Sequence, residues 1–119
     1  MINQKEQPSG GSFFIQYDFP MSQPERITVE NVNHPGQQSN VRADMYYAMK
    51  DALLMVLHPE PPGLTQGEMR SAVLPHLPEN LFRSGAKPSW WAKTVQLDLE
   101  AKGLLVRKFG KPLRWRLAE

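Results

Sequence analysis

Arg107, Lys108, Lys111, Arg114 and Arg116 crowd the C-terminal end of this chain. Cations at that density on a short hairpin can neutralise phosphates on either side of a nucleic-acid groove, which gives affinity without reading sequence. An ordinary solvated strand face carries the same side chains. Upstream, Ser89, Lys93, Gln96 and Glu100 recur at three- and four-residue intervals, which on a helix makes one narrow polar stripe. A lysine and an amide on such a stripe suit phosphates and base edges, and Lys87 stands just ahead of them. Other chemistry is poorly provided for. His34, His58 and His76 sit beside prolines in separate turns, without the paired spacing of a zinc site. Cysteine is absent, which excludes disulfides, thiolate catalysis and zinc-thiolate centres. There is no Gly-x-Ser-x-Gly elbow, P-loop or Gly-x-Gly-x-x-Gly run. Asp98 and Glu100 are two apart and diverge on a helix. The chain is therefore expected not to be an enzyme and to need no cofactor or metal.

The stripe must be held by a helix over residues 89–103. Pro88 or Ser89 suits its start and Gly103 its stop, because glycine alone enters the left-handed cap conformation without cost. At 100° per residue Trp91, Ala92, Val95 and Leu99 share one arc, flanked by Trp90, Leu97 and Ala101. For the tryptophan pair the reading favours core packing over an exposed binding hot spot.

With 119 residues the chain makes one domain. Its net charge of +2 is unevenly spread. Counted along the sequence, residues 1–63 sum to −3 and residues 64–119 to +5, which favours an anionic partner for the second half. No stretch reaches a membrane span and no basic-then-apolar export signal opens the chain, so the expectation is a cytoplasmic protein with no membrane partner. Residues 1–24, rich in Pro, Gly and Ser, are expected to form a mobile or loosely docked head. Within it Phe13, Ile15, Tyr17 and Phe19 alternate like an edge strand. Residues 25–119 form the domain. In it a short strand covers 26–32, with Ile27 and Val29 on one side, and residues 37–40 make a polar loop. A helix over 44–57 carries Met45, Met49, Ala52, Leu53, Val56 and Leu57. Tyr46, Leu54 and Met55 widen its apolar arc, so burial on two sides is expected. Thr65-Gln66-Gly67-Glu68 is a capping box opening a second helix that stops near Pro75. Residues 76–82 then carry Leu77, Leu81 and Phe82 to the core. After Gly103 comes a hairpin whose return strand points Leu113, Trp115 and Leu117 inward and Arg114 and Arg116 outward.

The run Thr94-Val95-Gln96-Leu97-Asp98-Leu99-Glu100-Ala101-Lys102-Gly103-Leu104-Leu105-Val106-Arg107 resembles the recognition helix and wing of winged helix-turn-helix domains. Gly63-Leu64-Thr65 resembles their stub strand. The blocks Gly63 to Arg70, Ala72 to Pro78, Gly85 to Lys87 and Trp90 to Gly103 are similar to a small bacterial family of unknown function. The winged-helix resemblance covers about residues 44–119 and implies a three-helix core with a C-terminal β-hairpin wing; with the strand read at 26–32, the expected fold is α+β, a winged helix with an N-terminal strand extension. The small family implies no substrate; the wing and its basic charge give the expectation of a DNA-binding transcriptional regulator whose partner is duplex DNA. The expected contacts are Lys93 and Gln96 in the groove, Lys87 and Ser89 on phosphates at the helix start, and Lys108, Lys111, Arg114 and Arg116 on the flanking backbone. Two features depart from the usual pattern: a long, proline-bearing link between the second and third helices, and Trp90-Trp91 in the turn that normally enters the major groove. The domain is expected to bind DNA as a homodimer. The alternative is a winged-helix module that binds a protein partner and no nucleic acid, with the tryptophans and the polar stripe at the interface.

Overall fold

Alternation produces the first strand. In the computed structural model, which describes residues 25–83 and 85–119, β1 (Arg26–Glu30) buries Val29, half-buries Ile27 and turns Arg26, Thr28 and Glu30 to solvent. The expectations for residues 1–24 lie outside the described residues. β1 pairs antiparallel with β2 (Gln38–Arg42), Arg26 opposite Arg42 and Glu30 opposite Gln38. The polar composition of residues 37–40 predicts a loop, and the structure corrects this. Only Val41 of β2 is buried, so the strand owes its existence to the partner it pairs with rather than to a pattern of its own.

α1 (Ala43–Val56) follows without a break, and the Ala43 N–H donates to the Glu25 carbonyl at 2.8 Å. Asp44 in the first turn accepts the Met45 N–H and pairs with Arg42, which holds its carboxyl below the usual range. Met45, Tyr46, Met49, Ala52 and Leu53 are buried, whereas Tyr47, Leu54 and Met55 are exposed. The helix is thus buried along one broad arc, and the outer part of the apolar pattern faces away from the core.

Gly63 then makes the approach that sets the C-terminal hairpin. Its φ is +84°, and a Cβ there would collide with the Trp115 carbonyl. That closeness lets Leu64 exchange two backbone hydrogen bonds with Trp115, each 2.8 Å. α2 (Gln66–Val73) starts on the capping box: the Glu68 N–H donates to Thr65 Oγ1 at 3.2 Å, and the Thr65 N–H to Glu68 Oε1 at 2.9 Å. That backbone hydrogen bond, with Arg114 nearby, keeps the Glu68 carboxyl below its ordinary value. Pro75 ends α2 in a 3₁₀ turn (Leu74–His76). Leu77, Leu81 and Phe82 pack against the core as expected.

α3 (Pro88–Ala101) is closed by Gly103 at φ +78°. β3 (Leu105–Lys108) and β4 (Arg114–Leu117) pair antiparallel with Leu105 opposite Leu117. The result is a small α+β domain of three mutually packed helices and two separate two-stranded sheets. Met49, Leu53, Leu57, Met69, Val73, Trp91, Val95, Leu99 and Trp115 fill its centre.

Candidate nucleic-acid interface

Successive residues on α3 point 100° apart, and that separates the two tryptophans. Trp91 is buried, stacked edge-to-face on Phe82 at 6.5 Å. Trp90 is 51% exposed and rests edge-to-face on Trp91 at 5.1 Å. The core reading therefore holds for Trp91 and fails for Trp90, which joins Ser89, Lys93 and Thr94 on the outer side of the helix.

Two clefts meet along that outer side. One lies between α3 and the β1–β2 hairpin, with Val29, Val41, Leu97, Trp90, Thr94 and Ser39 in its lining. The other lies towards α2, where Arg70 and Gln66 face Ser89 and Lys93. Asn31, Trp90, Thr94 and Leu97 border both. Arg70 was not among the sequence-derived candidates; its place four residues after Gln66 on a capped helix is the signal that marks it.

Gln96, expected in the groove, is 2% exposed. It accepts a hydrogen bond from Gln66 Nε2 at 3.5 Å and donates one to Glu100 Oε2 at 3.0 Å. Glu100 in turn takes both arms of Arg107, at 2.8 and 3.1 Å, and the guanidinium lies 5.4 Å from the Trp115 ring centre. So the far end of the polar stripe is an internal chain running from α2 through α3 to β3, and it fixes where the C-terminal hairpin stands.

A second polar centre secures the other side of α3. Asp98 is fully buried. Its Oδ1 accepts the Glu30 N–H at 2.9 Å and the Lys102 ammonium, and its Oδ2 accepts the Tyr46 hydroxyl. Burial, reinforced by this carboxylate, raises the Tyr46 hydroxyl well above its ordinary value. One side chain thereby ties β1, α1 and α3 together. The sequence flags it only as a carboxylate without a catalytic partner.

The predicted cations divide by environment. Lys87, Lys93, Lys108 and Lys111 are exposed and make no ion pair among the described residues; Arg70 is the same. Lys87 adopts φ +55° ahead of Pro88, a conformation that side chains other than glycine rarely take. Arg114 and Arg116, by contrast, are turned back on the fold. Arg114 Nη1 donates to the Gly63 carbonyl at 3.1 Å and lies 3.4 Å from Glu68, and Arg116 Nη1 donates to the Pro59 carbonyl at 3.0 Å. At the hairpin tip Phe109 is largely exposed. Among the described residues no group of three His, Cys, Asp or Glu side chains could hold a metal, and no helix is long and apolar enough to cross a membrane.

Comparison with curated proteins and with solved structures gives no match. A family model does match, over residues 26–115, spanning the elements from β1 into β4. The chain thus belongs to the family of unknown function DUF6958.

Proposed function

We propose that this protein is a winged-helix DNA-binding protein of the transcription-regulator kind, with α3 presented to duplex DNA and the β3–β4 hairpin as its wing. The observation that carries the reading is the Leu64–Trp115 pair of hydrogen bonds. A stub strand between α1 and α2, bonded to the return strand of a C-terminal hairpin, is the strand arrangement of such domains, and the Glu100–Arg107 ion pair seats that hairpin against α3. Five exposed cations then suit a phosphate-bearing partner: Arg70 and Lys93 at the cleft, Lys87 before α3, Lys108 and Lys111 on the wing. Such contacts position a duplex without reading it. With Gln96 buried, Ser89 is the polar side chain of α3 left for base edges, and Arg114 and Arg116 brace the wing from behind.

Fluorescence anisotropy across a salt series tests this. Four or five phosphate contacts give a slope of roughly −4 in log affinity against log salt. Changing Lys108 and Lys111 together to Ala should flatten the slope by about two and weaken all duplexes alike. Absence of binding at about 50 mM salt, where attraction is weakly screened, would overturn the reading. In that event the exposed Trp90 and the α1 face of Tyr47, Leu54 and Met55 favour the rival, a module that binds protein or a second copy of itself.

A further inference from the structure

We propose that the cleft between α3 and the β1–β2 hairpin takes one unpaired nucleobase, while Arg70 and Lys93 hold the phosphates beside it. The inference rests on the DNA-binding reading above and names the form of DNA that this surface selects. The cleft encloses about 140 Å³, close to the roughly 150 Å³ that accepts a benzene ring in an engineered core. That is room for one six-membered heterocycle. Its apolar walls come from Val29, Val41 and Leu97, all buried, and from the half-exposed Trp90 ring. Trp91 braces that ring at 5.1 Å, so the platform costs little to order on binding. The rest of its lining is polar: Ser39 and Thr94, whose hydroxyls can donate or accept, with Asn31, Gln37 and the acceptor Glu30, a mix that suits the donor and acceptor edge of a base.

The chemistry of the adjoining cleft identifies the ligand. Trp90 and Thr94 border both spaces, and in the second of them Arg70, Lys93 and Ser89 come together. An apolar slot with a hydrogen-bonding rim, opening directly onto two cations, matches a nucleotide: heterocycle in the slot, phosphate on the cations. Stacking on an aromatic ring and backbone neutralisation are the two devices by which proteins hold unpaired bases. A base inside a duplex cannot reach the slot. One that is already unpaired enters at the least cost in lost stacking. The preferred ligand is therefore a duplex carrying an unpaired base, held more tightly than a uniform duplex.

The test compares a fully paired duplex with the same duplex carrying one unpaired thymidine, by anisotropy at one salt concentration. The wild type should bind the second roughly tenfold more tightly, the scale of one base stacked on an aromatic side chain. Its tryptophan emission should fall on binding the unpaired thymidine, because Trp90 is the exposed tryptophan while Trp91 and Trp115 are buried. Trp90→Phe should keep most of the preference and Trp90→Ala should bring the ratio of the two affinities near one. Lys93→Ala should lower both affinities and keep the ratio. A wild-type ratio near one, with the paired duplex still bound, overturns this inference and leaves the DNA-binding reading standing. Failure to bind either duplex removes both. The wild-type ratio decides the matter even where Trp90→Ala does not fold.

Discussion

Asp98→Ala is expected to lower stability by about 2–5 kcal/mol and to release the N-terminal hairpin from α3. The carboxylate is fully buried and accepts from the Glu30 N–H and the Tyr46 hydroxyl. Each donor left unpaired inside the fold costs about 1–3 kcal/mol. Lys102 adds less, because its side chain is 39% exposed and can turn to water. The fall in the urea midpoint measures the loss, and an unchanged midpoint would contradict it. The same centre sets an alkaline limit. Tyr46 titrates above its unfolded value of 10.0, so its contribution is complete below pH 10 and is lost as pH rises beyond. Tyr46→Phe should remove that alkaline fall in stability while leaving a smaller, pH-independent loss.

Trp115→Ala should cost about 3–5 kcal/mol, the range for buried aromatic side chains cut to alanine. The ring is 4% exposed, belongs to the same packed cluster as Leu99, and carries the Arg107 guanidinium at 5.4 Å. Losing it opens a cavity in that cluster and removes the ring beside Arg107, so the wing should loosen first. Trp115→Phe should cost much less. Its ring keeps most of the contact, and the indole Nε1 it lacks has no hydrogen-bond partner within the fold. A thermal midpoint unmoved by Trp115→Ala would show that the hairpin does not pack on the core.

Elements with their own local chemistry were readable in the sequence. Thr65 and Glu68 announce α2, Pro88 and Gly103 bracket α3, and the alternation of Leu113, Trp115 and Leu117 gives the return strand; each signal acts within a few residues. Features decided by distant partners were not. β2 has one buried residue and is a strand because β1 lies beside it. A helical wheel puts Gln96 on the polar stripe and cannot register that Gln66, thirty residues away, closes over it. Asp98 gains its meaning from Tyr46 and Glu30, 52 and 68 residues distant. Arg114 and Arg116 alternate outward as the period requires, yet the Gly63 and Pro59 carbonyls are within their reach. Period assigns a direction to a side chain; it does not say whether water or another element waits there.

For the proposed interface the consequence is a smaller, better-placed set than the sequence implies. Lys87, Ser89 and Lys93 remain, Arg70 joins them across the cleft, and Lys108 and Lys111 stand on the wing. The outer face of α1 offers an internal reference, since Tyr47, Lys50, Leu54 and Met55 lie on a different helix and line none of these clefts. Backbone amide NMR of the labelled protein, titrated with a duplex, tests the account most directly. It predicts shift changes concentrated at Arg70, at residues 87–94 and at residues 108–111, with the amides of residues 47–55 unmoved. Changes confined to the α1 face, or none at low salt, would contradict it.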